Sequence, residues 1–293
     1  SPHHPADVAI TSNQIKSKRL TRLNRDILDH RTLGEVEEFR FESAFDDREI
    51  HGWIVTPPGF QRENTYPLIL EIHGGPYANY GDRFSAEMQL YASRGYVVTY
   101  LNPRGSSSYG KEFMDLIHQK YPKNSLQDFL SGVEYVIHQG YIDEDELYVA
   151  GGSGGGWLTA WIVGHTDRFR AAAVQKPLIN AYSISLTGDI PWATKYWFPD
   201  YPWNALEHYF ERSPISYAGN VSTPTMIITG EQDYRTPISE SEQIYQALQY
   251  QGVESMLVRI PDANHHISAK PSNMIGKVAY VLEWFERHGG ASQ

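Results

Sequence analysis

Glu146-Leu-Tyr-Val-Ala-Gly-Gly-Ser153-Gly-Gly-Gly-Trp157 runs an apolar strand into a glycine cluster with one serine at its centre, and then into a helix. Leu147 to Ala150 form a short continuous apolar run, as a central parallel strand buried on both faces requires. Beyond the serine, Leu158, Trp161, Ile162 and His165 recur at helical spacing. A strand, a sharp turn and a helix, with Gly151-x-Ser153-x-Gly155 at the turn, make the pattern of a nucleophile elbow. A hydroxyl there lies near the amides at the positive end of the helix, where an oxyanion is stabilised. A nucleotide-binding loop is the rival for so many glycines, but the cluster fits neither the P-loop nor the dinucleotide-binding spacing.

Outward from this stretch, apolar runs alternate with helical ones. Strands are expected over Pro67–Ile72, Tyr96–Leu101, Leu147–Ala150, Ala171–Val174, Thr225–Thr229 and Met256–Ile260. Helices are expected around Phe84–Ser93, Leu126–His138, Ser239–Gln249 and Met274–Glu286. Phe39–Ser43 and Ile50–Val55 flank Asp46-Asp47 as a hairpin that Pro57-Pro58-Gly59 ends. The fold class is therefore α/β: a mainly parallel sheet with helices on both faces, preceded by an antiparallel hairpin. In such sheets the working groups sit at the carboxyl ends of the strands.

The first forty residues read differently. Asp7–Thr11 and Arg19–Leu23 look like two short strands around the polar Ser12–Lys18, and two strands alone cannot bury a core. Residues 1–36 are thus expected to be the remnant of another domain with its linker, and residues 37–293 the compact α/β unit.

Composition narrows the function classes. A chain of 293 residues can form one large domain. It has no cysteine, so disulfides and thiolate zinc sites are excluded. A net charge of -10 argues against a general nucleic-acid binder. No apolar run approaches the roughly 18 residues that span a bilayer, so no membrane partner is expected. No signal segment opens the chain, but it begins at Ser1 rather than Met, so a native leader can be missing. The expected compartment is the cytoplasm. No metal or organic cofactor is indicated.

A serine hydroxyl becomes a nucleophile when a base takes its proton and a third group orients that base. On this fold the acid and then the histidine should follow the serine, each just after a strand. Thr225–Asp233 is a strand ending in acids, and Met256–His266 is a strand ending in histidines. Glu231 and Asp233 both suit the acid; the shorter carboxylate further along the turn, Asp233, is preferred. His265 and His266 are adjacent and only one need be the base. As a pair they make a poor zinc site, since neighbouring side chains diverge and no third ligand is apparent. Leu68–Pro76 ends in His73-Gly-Gly, whose amides suit an oxyanion hole shared with the residue after the serine. His73 precedes the serine and is read as structural.

With these blocks in place the chain resembles the prolyl oligopeptidase family of serine peptidases, most closely its acylaminoacyl-peptidase-like branch. The resemblance rests on His73-Gly-Gly-Pro76, Asn102–Ser106 with Tyr109-Gly110, the elbow with Gly164–Phe169, and Glu211–Pro214. It extends to Gly230–Pro237 and to Pro261-x-x-x-His265 with Lys270–Asn273. It implies an α/β-hydrolase domain with Ser153 as nucleophile, Asp233 as orienting acid and His265, rather than His266, as base. It also implies oxyanion donors at the amides of Gly75 and Gly154, and an Arg235 that holds a substrate carbonyl, against a plain surface salt bridge. Family members carry an N-terminal β-propeller, so residues 1–36 resemble its last strands and linker. The face it would cover is then exposed or used in association, a homo-oligomer included.

One departure is visible: where the family has a tyrosine after the nucleophile, this chain has Gly154, which implies a looser turn and a wider or refilled pocket. The aromatic segment Tyr182–Phe210, with Trp192, Tyr196, Trp197, Phe198, Tyr201 and Trp203, divides between packing and an apolar pocket. Trp157, Trp192 and Trp197 are assigned to that pocket. The expected function is a serine peptidase that releases short or N-acylated residues from small peptides. A carboxylesterase using the same site, and a non-catalytic fragment without its propeller, are the alternatives.

Overall fold

The structure, a computed structural model, describes residues 1–12 and 16–290. Ten strands are present: β1 (Ala9–Ser12), β2 (Lys16–Arg19), β3 (Val36–Glu42), β4 (Glu49–Val55), β5 (Tyr66–Ile72), β6 (Val97–Asn102), β7 (Ile142–Gly152), β8 (Ala171–Gln175), β9 (Thr225–Gly230) and β10 (Ser255–Ile260). The helices are α1 (Arg25–Leu28), α2 (Ala86–Ser93), α3 (Lys111–Asp115), α4 (Leu126–Ile137), α5 (Gly154–Val163), α6 (Ala181–Thr187), α7 (Thr194–Trp197), α8 (Leu206–Phe210), α9 (Ile238–Gln251) and α10 (Pro271–His288). Eight strands form one sheet in the order β10-β9-β8-β7-β5-β6-β4-β3. β3, β4 and β6 pair antiparallel and every other pair in this sheet is parallel, as the α/β-hydrolase expectation requires.

Alternation along β5 shows how the sheet is covered. Leu68, Leu70 and Ile72 pack into a core with Phe129 of α4 and Trp157 and Leu158 of α5. Ile69 points the other way, into a core with Tyr91 of α2 and Val281 and Phe285 of α10. β6, β8 and β9 are buried at every position, which is why their sequences read as continuous apolar runs. Among the described residues no helix is long and apolar enough to cross a membrane.

The expected elements shift at their ends for local reasons. α2 starts at Ala86 because the Ser85 hydroxyl accepts the Met88 amide, 3.3 Å away, and caps it. α10 starts three residues earlier than its apolar pattern because Pro271 suits a first helical turn. β7 extends back through the acidic residues 143–146 to Ile142, which pairs with Tyr66. The N-terminal hairpin departs more. Its second strand is Lys16–Arg19 rather than Arg19–Leu23, in the register Ala9↔Arg19. Asp7 holds residues 21–23 as a loop instead, accepting the Thr21 hydroxyl at 2.8 Å and the Leu23 amide at 2.9 Å. Residues 13–15 of the expected polar connection lie outside the described ones. This hairpin does not join the main sheet, and Val8, Ile10, Leu20 and Leu23 beside it are exposed.

The Asn102–Ser106 block is structural. Arg104, 2 % exposed, donates to both carboxylate oxygens of buried Asp128 on α4 at 2.7 and 2.9 Å, and to Asp46 at the hairpin tip at 3.0 Å. Ser106 meets His73 Nε2 at 3.0 Å, so the same loop fixes the His73-Gly-Gly turn at the end of β5.

Candidate active site

The elbow between β7 and α5 is as sharp as the glycines imply. Ser153 sits at φ 61°, ψ -120°, a region L-residues rarely enter, and its amide is held by the Gln175 carbonyl at 3.0 Å. A Cβ on Gly155 would lie 2.1 Å from the Ile72 carbonyl oxygen, so only glycine lets α5 start this close to β5. Ser153 thereby stands at the N-terminus of a helix whose ten residues are all buried.

The acid and histidine turns come to the same sheet edge because β9 and β10 are adjacent and parallel. The Gln232 amide donates to the Ala263 carbonyl at 2.9 Å and fastens the two turns together. His265 Nε2 lies 2.9 Å from Ser153 Oγ and Nδ1 lies 2.8 Å from Asp233 Oδ2. Asp233, 3 % exposed, also accepts the amides of Arg235 and Thr236 on Oδ1, each at 2.9 Å. Burial pulls the His265 pKa below its ordinary 6.5, against the hydrogen bond and charge of Asp233. The resting imidazole is therefore neutral at neutral pH, as a proton acceptor must be.

The competing residues are placed elsewhere. Glu231 faces Arg259 at 3.3 Å on the surface. His266 lines the cleft, with its amide on Asn264. His73 is held between the Gly74 carbonyl at 2.7 Å and Ser106, and burial lowers its pKa.

The Gly75 and Gly154 backbones lie against each other. A Cβ on Gly154 would meet the N and C atoms of Gly75 at 3.0 Å and its O at 3.1 Å. Gly75 itself, at φ +119°, has no room for a side chain beside the Tyr77 amide. Neither amide N–H donates to a protein acceptor among the described residues. The elbow is thus tight at Gly154, where the backbone of the facing turn closely borders the space a side chain would take. Tyr121, which sequence reading did not single out, donates its buried hydroxyl to the Gly154 carbonyl at 2.6 Å and packs edge-on against Trp157.

A cleft of about 490 Å³ opens over Ser153 and His265. One side is apolar, with Trp157, Leu178, Ile184, Ile190 and Trp197. Trp157 is buried as its floor, its indole N–H donating to the Arg212 carbonyl at 2.8 Å. Trp192 is not part of the lining: the turn Pro191–Ala193 leaves it 64 % exposed, edge-on to Tyr196. Tyr201 and Trp203 stack on each other and are exposed, and Phe198 is core. Arg235 lines the cleft with its guanidinium paired to Asp189.

The other side of the cleft is charged, with Glu71 of β5, Glu87 of α2 and Lys277 of α10. Lys277 pairs with Glu87 at 2.5 Å. Burial, with Glu87 close by, pushes the Glu71 pKa up to about 8, and Lys277 and Lys176 offset this only in part. A carboxyl whose folded pKa lies above its unfolded 4.5 stabilises the fold most below 4.5, and the benefit drains away as pH rises through about 8. Glu71→Gln, neutral and similar in shape, is therefore expected to raise Tm at alkaline pH and to change it little in acid. The gap between the two proteins should widen by up to about 1.4 kcal/mol per pH unit across that window. Thermal melts at several pH values check this, and a gap independent of pH would contradict it.

Residues 82–292 match the prolyl oligopeptidase family. An uncharacterized peptidase of Bacillus subtilis, YuxL, is 37% identical over 98% of this chain and 44% of its own length. Dipeptidyl-peptidase 5 of Schizosaccharomyces pombe is 31% identical over 89% of this chain and 39% of its own. The Pyrococcus horikoshii acylaminoacyl peptidase superposes with a TM-score of 0.91 at 30% identity, over 99% of this chain and 47% of that one. The chain spans less than half the length of each of these relatives. With the family matched over residues 82–292 and a relative 37% identical over 98% of this chain, the chain belongs to the prolyl oligopeptidase family of peptidases.

Proposed function

We propose that this chain is the catalytic part of a serine peptidase that releases short or N-acylated residues from the amino ends of small peptides. The observation that carries the reading is the unbroken line Ser153 Oγ, His265, Asp233 at 2.9 and 2.8 Å. The hydroxyl proton passes to Nε2 of the neutral imidazole as Oγ attacks the scissile carbonyl. The new oxyanion is received by the amides of Gly75 and Gly154; their close approach beside the serine and their lack of other acceptors among the described residues support this. Nε2 then returns the proton to the departing amine, and water repeats the sequence on the acyl-enzyme. The apolar side of the cleft, with Trp157 and Trp197, suits an apolar or aromatic residue ahead of the cleaved bond. Arg235 holds a substrate carbonyl in this reading, and its position in the cleft lining, paired to Asp189, supports that role.

In this reading residues 1–36 are the end of a preceding domain and its linker, and 37–293 are the catalytic domain. The separate hairpin, its exposed apolar neighbours and the greater length of the relatives support that division.

A fluorophosphonate probe followed by peptide mapping tests the site: the adduct is expected on Ser153, and folded protein without it would refute the assignment. A small peptide library with free and acetylated amino ends then tests the substrate class. Hydrolysis of p-nitrophenyl esters without cleavage of any amide would replace the peptidase by an esterase.

A further inference from the structure

Lys176 follows β8 directly and enters the left-handed region at φ 37°, although it carries a side chain. Its amide donates to the Ile228 carbonyl at 2.7 Å, which fixes it beside β9. From there it touches all three turns of the site. A Cβ on Gly152 would lie 3.0 Å from Lys176 Cε, so the lysine stem crosses the serine elbow in the space that glycine leaves. Its ammonium donates to the His265 carbonyl at 2.8 Å. Its own carbonyl lies 3.0 Å from the Thr236 hydroxyl, which also lies 3.1 Å from Asp233 Oδ2.

We propose that Lys176 is a positioning residue for the base: it ties the histidine turn to the serine elbow and the acid turn, and it sets a positive charge behind the imidazole. This rests on the Ser153–His265–Asp233 reading above.

An ion pair does not account for the lysine. Among the described residues no carboxylate oxygen lies within 4.0 Å of Nζ; its polar contact is a neutral carbonyl. The charges that face it are Asp233 of the acid turn, Glu71 of β5, Glu87 of α2 and Lys277 of α10. Desolvation and then Lys277 lower its pKa, and the three carboxylates resist. At His265 the facing charges are Asp233, which favours the imidazolium, and Lys176 and Arg235, which disfavour it. Removing the Lys176 charge therefore makes His265 easier to protonate.

The test compares the full chain with Lys176→Gln, which keeps a donor without the charge, and Lys176→Met, which keeps only the stem. The rate of fluorophosphonate labelling of Ser153, and kcat/KM on an amide the protein cleaves, are followed across the titration of His265. Both variants are expected to move the acid limb to higher pH. Met should also lower the alkaline plateau by on the order of 10²-fold through a misplaced base, and Gln by less. A purely structural lysine would lower Tm and leave the limb in place, and coincident limbs in folded Lys176→Gln would overturn the proposal even if the Met variant does not fold. Failure of the unaltered protein to label at Ser153 is a separate result, and it removes the reading of the site along with this inference.

Discussion

Ser153→Ala is expected to lower kcat on a cleavable amide by about 10⁶-fold while the protein stays folded. The change removes only Oγ. The backbone at φ 61° is held by the Gln175 carbonyl and by the glycines around it, and alanine meets the same strain there as serine. Gly75 and Gly154 keep their amides, so some acceleration over water should remain, on the order of 10³-fold, from the oxyanion donors and substrate binding. Steady-state kinetics with loss of probe labelling, beside an unchanged melting profile, check the result. Turnover near that of the unaltered protein would remove Ser153 from the mechanism.

Asp233→Asn is expected to cost about 10⁴-fold in kcat with little change in fold. The environment of the carboxylate says why. Oδ1 accepts two backbone amides, from Arg235 and Thr236, and these will take the carbonyl oxygen of an asparagine. Its NH₂ group is then left facing His265 Nδ1, where it can only donate. The imidazole must carry its proton on Nε2, which points at Ser153 and can no longer receive the hydroxyl proton. A kcat within tenfold of the unaltered protein would show that Asp233 does not set the tautomer.

The parts of the molecule that a sequence reader could find are those written in a short stretch of chain. Leu147–Ala150, Ala171–Val174 and Thr225–Thr229 announce buried strands because residues enclosed on both faces must be apolar. Ser153, Asp233 and His265 follow such runs directly, so their shared edge comes with the parallel sheet. Lys176, Thr236 and Tyr121 were not legible, since each acts across contacts far apart in the chain and looks locally like any loop or surface residue. Trp192 and Trp197 were read alike because an aromatic ring suits a pocket and a surface equally, and only the tertiary path separates them. The second N-terminal strand was displaced because Asp7, by capturing Thr21 and Leu23, outweighs the strand propensity of that segment.

The contact between the Gly75 and Gly154 backbones has a consequence for reshaping the pocket. A side chain placed at 154 meets three atoms of the facing turn with its first carbon. That turn must retreat by a few tenths of an ångström before a side chain fits, and Gly75 cannot yield by taking another residue at φ +119°. Substitution at 154 and movement of the facing turn are thus coupled. Reshaping the cleft without disturbing the two amides therefore starts from its apolar lining, such as Ile190 and Trp197, rather than from the residue after the serine.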